Sequence, residues 1–415
     1  MSSGPEKPVA GRPRISAAQL WIRIAVAIVA SALLAGVLYW ERRQAENRWS
    51  SLLAGSPRAG AKVFEAKGCA SCHSAVGVAQ GRAPDLASES MSRSRPDELV
   101  TVMWNHAPQM WKRMREARAH YPSFSQREMA NLLAYLYMIR YVGESGDLSK
   151  GQKLFRAKGC IDCHAVSAEE ESAGKNRTVL SSTMTAVGLA TAMWNHPAIG
   201  ESDERHELHG REMNDIVSYV RGGGMAQRVD QRLLYADFAS GWKVFREKSC
   251  VACHSVKDEA GHIGPELGPG HELPPTVLQL AGSIWNHSPA MWRAMEHLRI
   301  ERPSFKESEM ADLVAFLYSF RYVEPGGSSK LGEVLFVSRG CSRCHGARAL
   351  GTRQAPGLRG RGKSFSSVAM ATALWSHGPA MYRRAEDLGL SWPHLAENDV
   401  GNLIAFLNTS PEEQR

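Results

Sequence analysis

The pattern C-x-x-C-H occurs four times in this chain, and that repetition limits its architecture more than any other feature. The first cysteines, Cys69, Cys160, Cys250 and Cys341, stand 91, 90 and 91 residues apart. With Cys72, Cys163, Cys253 and Cys344 they account for all eight cysteines, and His73, His164, His254 and His345 follow directly. The lead-in recurs too: GAKVFEAKG, GQKLFRAKG, GWKVFREKS and GEVLFVSRG. Gly60, Gly151, Gly241 and Gly332 lie nine residues before their cysteine, and Phe64, Phe155, Phe245 and Phe336 five before it. That spacing puts glycine and phenylalanine on one face of a short helix. Each repeat closes on an amphipathic stretch, EMANLLAYLY, EMNDIVSYV, EMADLVAFLY or DVGNLIAFLN, with apolar residues at intervals of three and four. A fixed period near ninety residues predicts one helical unit per repeat, with almost no β-structure. Ser125 and Glu128 predict a capping box, and the glycine predicts close approach of an aromatic such as Tyr135 or Phe316.

The chemistry of the pattern narrows the cofactor. Two thiols three residues apart can bond to the two vinyl groups of one porphyrin, and the adjacent histidine then lies under the iron. Zinc needs four ligands per site, and no repeat supplies a second cysteine pair. A disulfide framework would not set a histidine after every pair, and a thioredoxin-like pair would not recur in four matching helical frames. Four covalently bound haem c groups are expected, with Cys69, Cys72, Cys160, Cys163, Cys250, Cys253, Cys341 and Cys344 as attachment points and the four histidines as proximal ligands. The formal charge of +8 is partly offset by haem propionates, and no nucleic-acid-binding motif is present, so nucleic acid is excluded as a partner.

Each repeat resembles a class I cytochrome c domain: an opening helix with Gly and Phe, C-x-x-C-H, a proline loop, and a closing helix with an aromatic. The resemblance covers nearly all of residues 55–410. It implies that Pro84, Pro265 and Pro356, each eleven residues after its histidine, orient the ring through a carbonyl; repeat two has Lys175 there. It also implies a distal methionine in a Met-Pro setting, where this chain reads Tyr121-Pro122, Arg302-Pro303 and Trp392-Pro393.

The distal ligand must then come from elsewhere, and a second shared segment offers it: MWNHAPQMW, MWNHPAIGE, IWNHSPAMW and LWSHGPAMY. His106, His196, His287 and His377 recur in all four repeats and are the leading assignment. Met110, Met291 and Met381 are the alternative, and repeat two has Ile199-Gly200 in that place. Leu99, Met103, His106 and Met110 share one helix face, so both candidates can look onto the same haem. Trp104, Trp194, Trp285 and Trp375 read as crevice residues whose indole N–H reaches a propionate. The basic run Arg348, Arg353, Arg359, Arg361 and Lys363 reads as a solvated loop. Met103, Met193, Met129, Met213 and Met310 read as packing residues.

From Leu20 to Trp40 the chain is apolar apart from Arg23, long enough to cross a bilayer once. Lys7, Arg12 and Arg14 favour a cytoplasmic N-terminus, and haem attachment takes place outside the cytoplasmic membrane. The expected organisation is all-α: a cytoplasmic tail at 1–17, a transmembrane anchor at 18–40, and four tandem cytochrome c-like domains at 41–147, 148–230, 231–327 and 328–415. Repeats one and three share YPSF/RPSF and YMIRYV/YSFRYV, and both repeat pairs are offset by 181 residues, as if a two-haem unit had been duplicated. The expected role is a periplasmic electron carrier, single-pass in the cytoplasmic membrane, serving redox partner proteins of a respiratory or photosynthetic complex. The alternative is a haem enzyme, a peroxidase or small-molecule reductase, with one open haem in repeat two, where His206 and His209 also lie in a shortened loop.

Overall fold

A computed structural model of the chain describes residues 55–75, 83–87, 95–142, 146–167, 178–196, 206–222, 235–256, 259–261, 263–268, 273–320, 326–360 and 364–410, with isolated positions 26, 29, 31, 33, 36, 233 and 322. Residues 1–50 form one unit and 51–415 another. Most of the expected anchor lies outside the described residues. Val26, Val29 and Leu33 within it are helical and exposed, and no helix among the described residues is long and apolar enough to cross a membrane.

The larger unit is predominantly helical. Repeat one contains α1 (Pro57–Ala66), α2 (Pro96–Glu116) and α3 (Gln126–Ile139). Repeat two contains α4 (Leu148–Ala157), α5 (Ala186–Trp194) and α6 (Glu212–Val220). Repeat three has α7 (Phe238–Glu247), α8 (Val277–His297) and α9 (Glu307–Ser319). Repeat four has α10 (Ser329–Ser338), the single turn α11 (Ser342–His345), α12 (Ser367–Asp387) and α13 (Asp399–Asn408). Two scraps of sheet complete the inventory of described strands. β1 (His164–Ala165) pairs in parallel with β2 (Thr178–Val179), and β3 (Ser255–Val256) pairs antiparallel with β4 (Glu259–Ala260).

In every repeat the opening helix packs on the closing helix: α1 on α3, α4 on α6, α7 on α9 and α10 on α13. The glycine makes the contact. A Cβ at Gly60 would lie 1.9 Å from the Asn131 carbonyl oxygen and 2.6 Å from Tyr135 Cβ; at Gly241 the values are 2.1 Å to Asp312 and 2.5 Å to Phe316. One turn on, the phenylalanine meets the same aromatic, with centroids 5.4 Å apart for Phe64–Tyr135 and 5.8 Å for Phe245–Phe316. The closing helix also caps the opening one. Asn131 Oδ1 accepts from the Ser56 N–H at 2.8 Å, and Asp215, Asp312 and Asn402 do the same for Asp147, Asp237 and Ser328. The expected capping box is present, with Glu128 N donating to Ser125 Oγ at 3.2 Å and Ser125 N to Glu128 Oε2 at 2.8 Å.

The repeats then pack on one another out of chain order. Helix α2 of repeat one lies against α12 of repeat four, and α5 of repeat two against α8 of repeat three. Repeats one and three meet through their closing segments, where Tyr137 packs on Tyr322 and Tyr141 on Tyr318, with centroids 4.8 and 4.2 Å apart. Arg359, expected on a solvated loop, is buried instead: its Nη2 donates to the Thr409 carbonyl at 2.7 Å and the guanidinium covers the Phe406 ring.

Gly60→Ala must push α1 off α3, an overpacked contact that should cost about 3 kcal/mol. Thermal unfolding of the full chain should show a clearly lowered midpoint, and an unchanged midpoint would contradict this packing.

Candidate functional site

Each opening helix ends three residues before its first cysteine, and the chain reverses just before that cysteine in the left-handed region. Gly68, Gly159 and Gly340 take φ of 79°, 74° and 82°, and Ser249 takes 63° without the freedom of glycine. The cysteines follow on a tight turn: a 3-10 turn in the first three repeats, and the start of α11 in the fourth. None of the eight is in a disulfide. The first cysteine of each pair is half-buried, and burial pushes its thiol up, to about 11 for Cys69, Cys160 and Cys341 and about 12 for Cys250. Cys72 and Cys163 are exposed.

The histidine that ends each motif is held by one bond. His73 Nδ1 donates to the Pro84 carbonyl at 3.1 Å, His254 to Pro265 at 2.9 Å and His345 to Pro356 at 2.9 Å. In repeat two, Lys175 lies outside the described residues, and the partner is the Thr178 carbonyl, 3.4 Å from His164 Nδ1. The β1–β2 pairing sets His164 opposite Thr178 and so supplies what the proline supplies elsewhere. A carbonyl on Nδ1 fixes the tautomer that leaves Nε2 as the metal-binding nitrogen. Gly264 adds room beside one ring, since a Cβ there would lie 2.6 Å from His254 Cε1.

On the opposite side, repeat two brings a second imidazole to the first. His164 and His196 stand with ring centroids 5.8 Å apart at 62°. These two imidazoles would be the pair to hold a haem iron in this repeat. Burial, then the neighbouring His164 and Arg302, holds His196 below its ordinary value. In the other repeats both distal candidates lie on one face of α2, α8 and α12, with His106, His287 and His377 exposed and Met110, Met291 and Met381 half-buried. His287 Nδ1 is bonded to the Ser283 carbonyl at 3.2 Å. Met103 and Met193 are half-buried on this side, whereas Met129, Met213 and Met310 are core residues.

Three of the four tryptophans do something other than expected. Trp104 Nε1 donates to the Pro393 carbonyl at 2.8 Å, Trp194 to Pro303 at 2.7 Å and Trp285 to His206 at 3.1 Å, in each case in another repeat. Their indole N–H groups are therefore committed to protein carbonyls and not to propionates. The neighbouring asparagine completes the grip. Asn105 pairs both ways with Leu395, Asn195 with Phe305 and Asn286 with Leu208, at 2.6–3.0 Å. Two of the gripped loops, at Trp392-Pro393 and Arg302-Pro303, are Met-Pro positions of the resembled family, so those two positions are occupied by contacts between repeats. Trp392 stacks on Trp104 at 4.8 Å, and Arg302 Nη2 donates to the Trp194 and His196 carbonyls of repeat two at 2.8 Å. Pro108 helps, since it has no N–H for the Trp104 carbonyl one turn back, and that carbonyl accepts from Trp392 Nε1 at 3.0 Å. His206 and His209 belong to the loop gripped by Trp285 and Asn286.

Sequence reasoning also missed an ion pair that recurs in every repeat. Two residues before the first cysteine, Lys67, Lys158, Lys248 and Arg339 reach Glu128, Glu212, Glu309 and Asp399 of the closing helix at 2.9–3.2 Å. The Ser125 backbone N–H, then Lys67, lowers the Glu128 carboxyl to about 2. The signal was present as a base and an acid recurring at matching places.

The cysteine turn and the carbonyl-held imidazole fit a covalently attached porphyrin, and they do not fit a zinc centre. Among the described residues, no three His, Cys, Asp or Glu side chains gather as a metal-ion site. The cytochrome c family model matches residues 57–138 and 238–320. Those two stretches, repeats one and three, are therefore read as cytochrome c domains, which bind covalently attached haem c and transfer electrons. No curated protein and no solved structure matches the chain.

In the haem-free chain, Cys72 and Cys163 should react with iodoacetamide at pH 8 at least about tenfold faster than Cys69 and Cys160, whose thiolates are scarce. Peptide mapping checks this; equal labelling would contradict the burial of the first cysteine.

Proposed function

We propose that the chain is a tetrahaem cytochrome c held in the cytoplasmic membrane by residues 18–40, with its haem domains in the periplasm. The observation that carries the reading is the carbonyl-held histidine in all four C-x-x-C-H segments, including His164 and His345 in the two repeats that the family model does not reach. Val26, Val29 and Leu33, apolar, helical and exposed, support the anchor. Bound there, haem supplies one-electron exchange between its ferric and ferrous iron.

The chain's own residues do the rest. Cys69 and Cys72, and their counterparts, would tether each haem covalently. His73, His164, His254 and His345 would hold the proximal side, with the ring fixed by Pro84, Thr178, Pro265 or Pro356. For the distal side we assign His196 in repeat two, and His106, His287 and His377 by the same rule, with Met110, Met291 and Met381 as the alternative in their repeats. The enzyme reading started from the missing proline and methionine of repeat two. Thr178 stands in for the first, and the His196 ring lies 5.8 Å from that of His164 as a second candidate ligand, so that repeat offers no reason for an open haem. An electron carrier between a membrane redox complex and a downstream acceptor protein is the function these features support best.

Near-infrared magnetic circular dichroism of the oxidised holoprotein tests the ligands, and carbon monoxide tests the carrier reading. Uniform bis-histidine bands and no carbon monoxide binding on reduction are expected. A methionine–iron band would move Met110, Met291 and Met381 into the sites. A carbon monoxide complex at one haem would overturn the carrier reading in favour of an enzyme.

A further inference from the structure

The contacts between repeats form a chain with two ends, and its order differs from that of the sequence. Repeat four packs on repeat one through α12 and α2, repeat one on repeat three through the tyrosines, and repeat three on repeat two through α8 and α5. No extensive packing joins repeats one and two, three and four, or two and four among the described residues.

The arrangement has the form of an isologous dimer of two-repeat halves. Tyr318 and Tyr322 lie 181 residues after Tyr137 and Tyr141, the offset of the duplicated halves. Tyr137 packs on Tyr322 and Tyr141 on Tyr318, so each residue meets the counterpart of the other, the signature of a two-fold contact. The Tyr137 hydroxyl donates to the Tyr318 carbonyl at 2.8 Å across it. The grips obey the same rule. Trp104 of repeat one holds the Pro393 loop of repeat four, and Trp285, its counterpart in repeat three, holds the His206 loop of repeat two. Each half thus exchanges its even repeat with the odd repeat of the other half. The 1–4 contact is also dense in aromatics: Trp111, buried, meets Trp375, Tyr382 and Trp392 with centroids 5.5–6.4 Å apart, and Gly378 admits it, since a Cβ there would lie 2.4 Å from the Trp111 ring.

We propose that electrons cross the protein in the order repeat four, one, three, two, or the reverse, so that repeats one and three conduct internally while repeats two and four exchange with outside redox proteins. The proposal rests on the reading that all four repeats carry haem. Electron tunnelling falls steeply with distance, so each hop is taken between packed neighbours. One electron enters at an end repeat from a one-electron donor protein and one leaves at the other to an acceptor, with no bond made or broken.

The test uses the full-length holoprotein with a ruthenium photoreductant attached at Val334→Cys, an exposed position on α10 of repeat four. Haem in repeat one is removed by Cys69→Ser with Cys72→Ser, and haem in repeat two by Cys160→Ser with Cys163→Ser. The route predicts that flashes rapidly reduce a single haem in the first variant and all the remaining haems in the second. Rapid reduction of all the remaining haems in the first variant, with loss of reach in the second, would establish chain order and overturn the proposal. Lysine cross-linking of the unsubstituted holoprotein, read by mass spectrometry, serves if a variant misfolds. Links joining repeats one and four, and two and three, are expected; a predominance of links within one–two and three–four would overturn the route. The expected links on a chain with fewer than four haems would overturn the tetrahaem reading and the route with it, while leaving the packing in place.

Discussion

At Gly60, Gly151, Gly241 and Gly332 the opening helix lies so close on the closing helix that a methyl group would sit 1.9–2.1 Å from a backbone oxygen. Everything in a repeat is positioned from that crossing. It brings the phenylalanine one turn later onto the closing aromatic, and it lets Asn131, Asp215, Asp312 or Asn402 cap the opening helix. It also sets the base before the first cysteine against the acid of the closing helix. The cysteine turn leaves this frame at a fixed point, and the histidine after it meets its carbonyl. The crossing contributes close packing, where small changes of volume are felt. The ion pair is half-exposed and adds orientation more than stability.

A second constraint acts between repeats. The helix that bears the distal candidates has two faces: Met103, His106 and Met110 lie on one, while Trp104 and Trp111 pack on a neighbouring repeat. The same tryptophan and asparagine grip the loop where the resembled family carries its methionine. Trp392 and Arg302 thus serve in contacts between repeats, and on the proposed reading the distal ligand comes from the helix instead.

Much of the repeat was legible because it depends on short spacings. Glycine and phenylalanine four apart, the Ser125–Glu128 box, and a proline eleven residues after the histidine each express one local geometry, and each is found. Thr178 was not legible, because it stands fourteen residues after His164, not eleven, and acts through strand pairing. The partners of the Trp104, Trp194 and Trp285 indole N–H groups were not legible because they lie far along the chain, as Pro393 does from Trp104. The order of the repeats had no local signal either, although the 181-residue offset carried the two-fold in principle. Histidine and methionine at four residues' separation share a helix face, so spacing alone left both open.

The central claim is that all four C-x-x-C-H repeats carry haem, not only the two that the cytochrome c family model reaches. The intact mass of the full-length protein, purified from membranes of a host able to attach haem c, tests it most directly. The account predicts the polypeptide plus four haems, with Cys69/Cys72, Cys160/Cys163, Cys250/Cys253 and Cys341/Cys344 all modified. A mass with two haems, confined to repeats one and three, would contradict it.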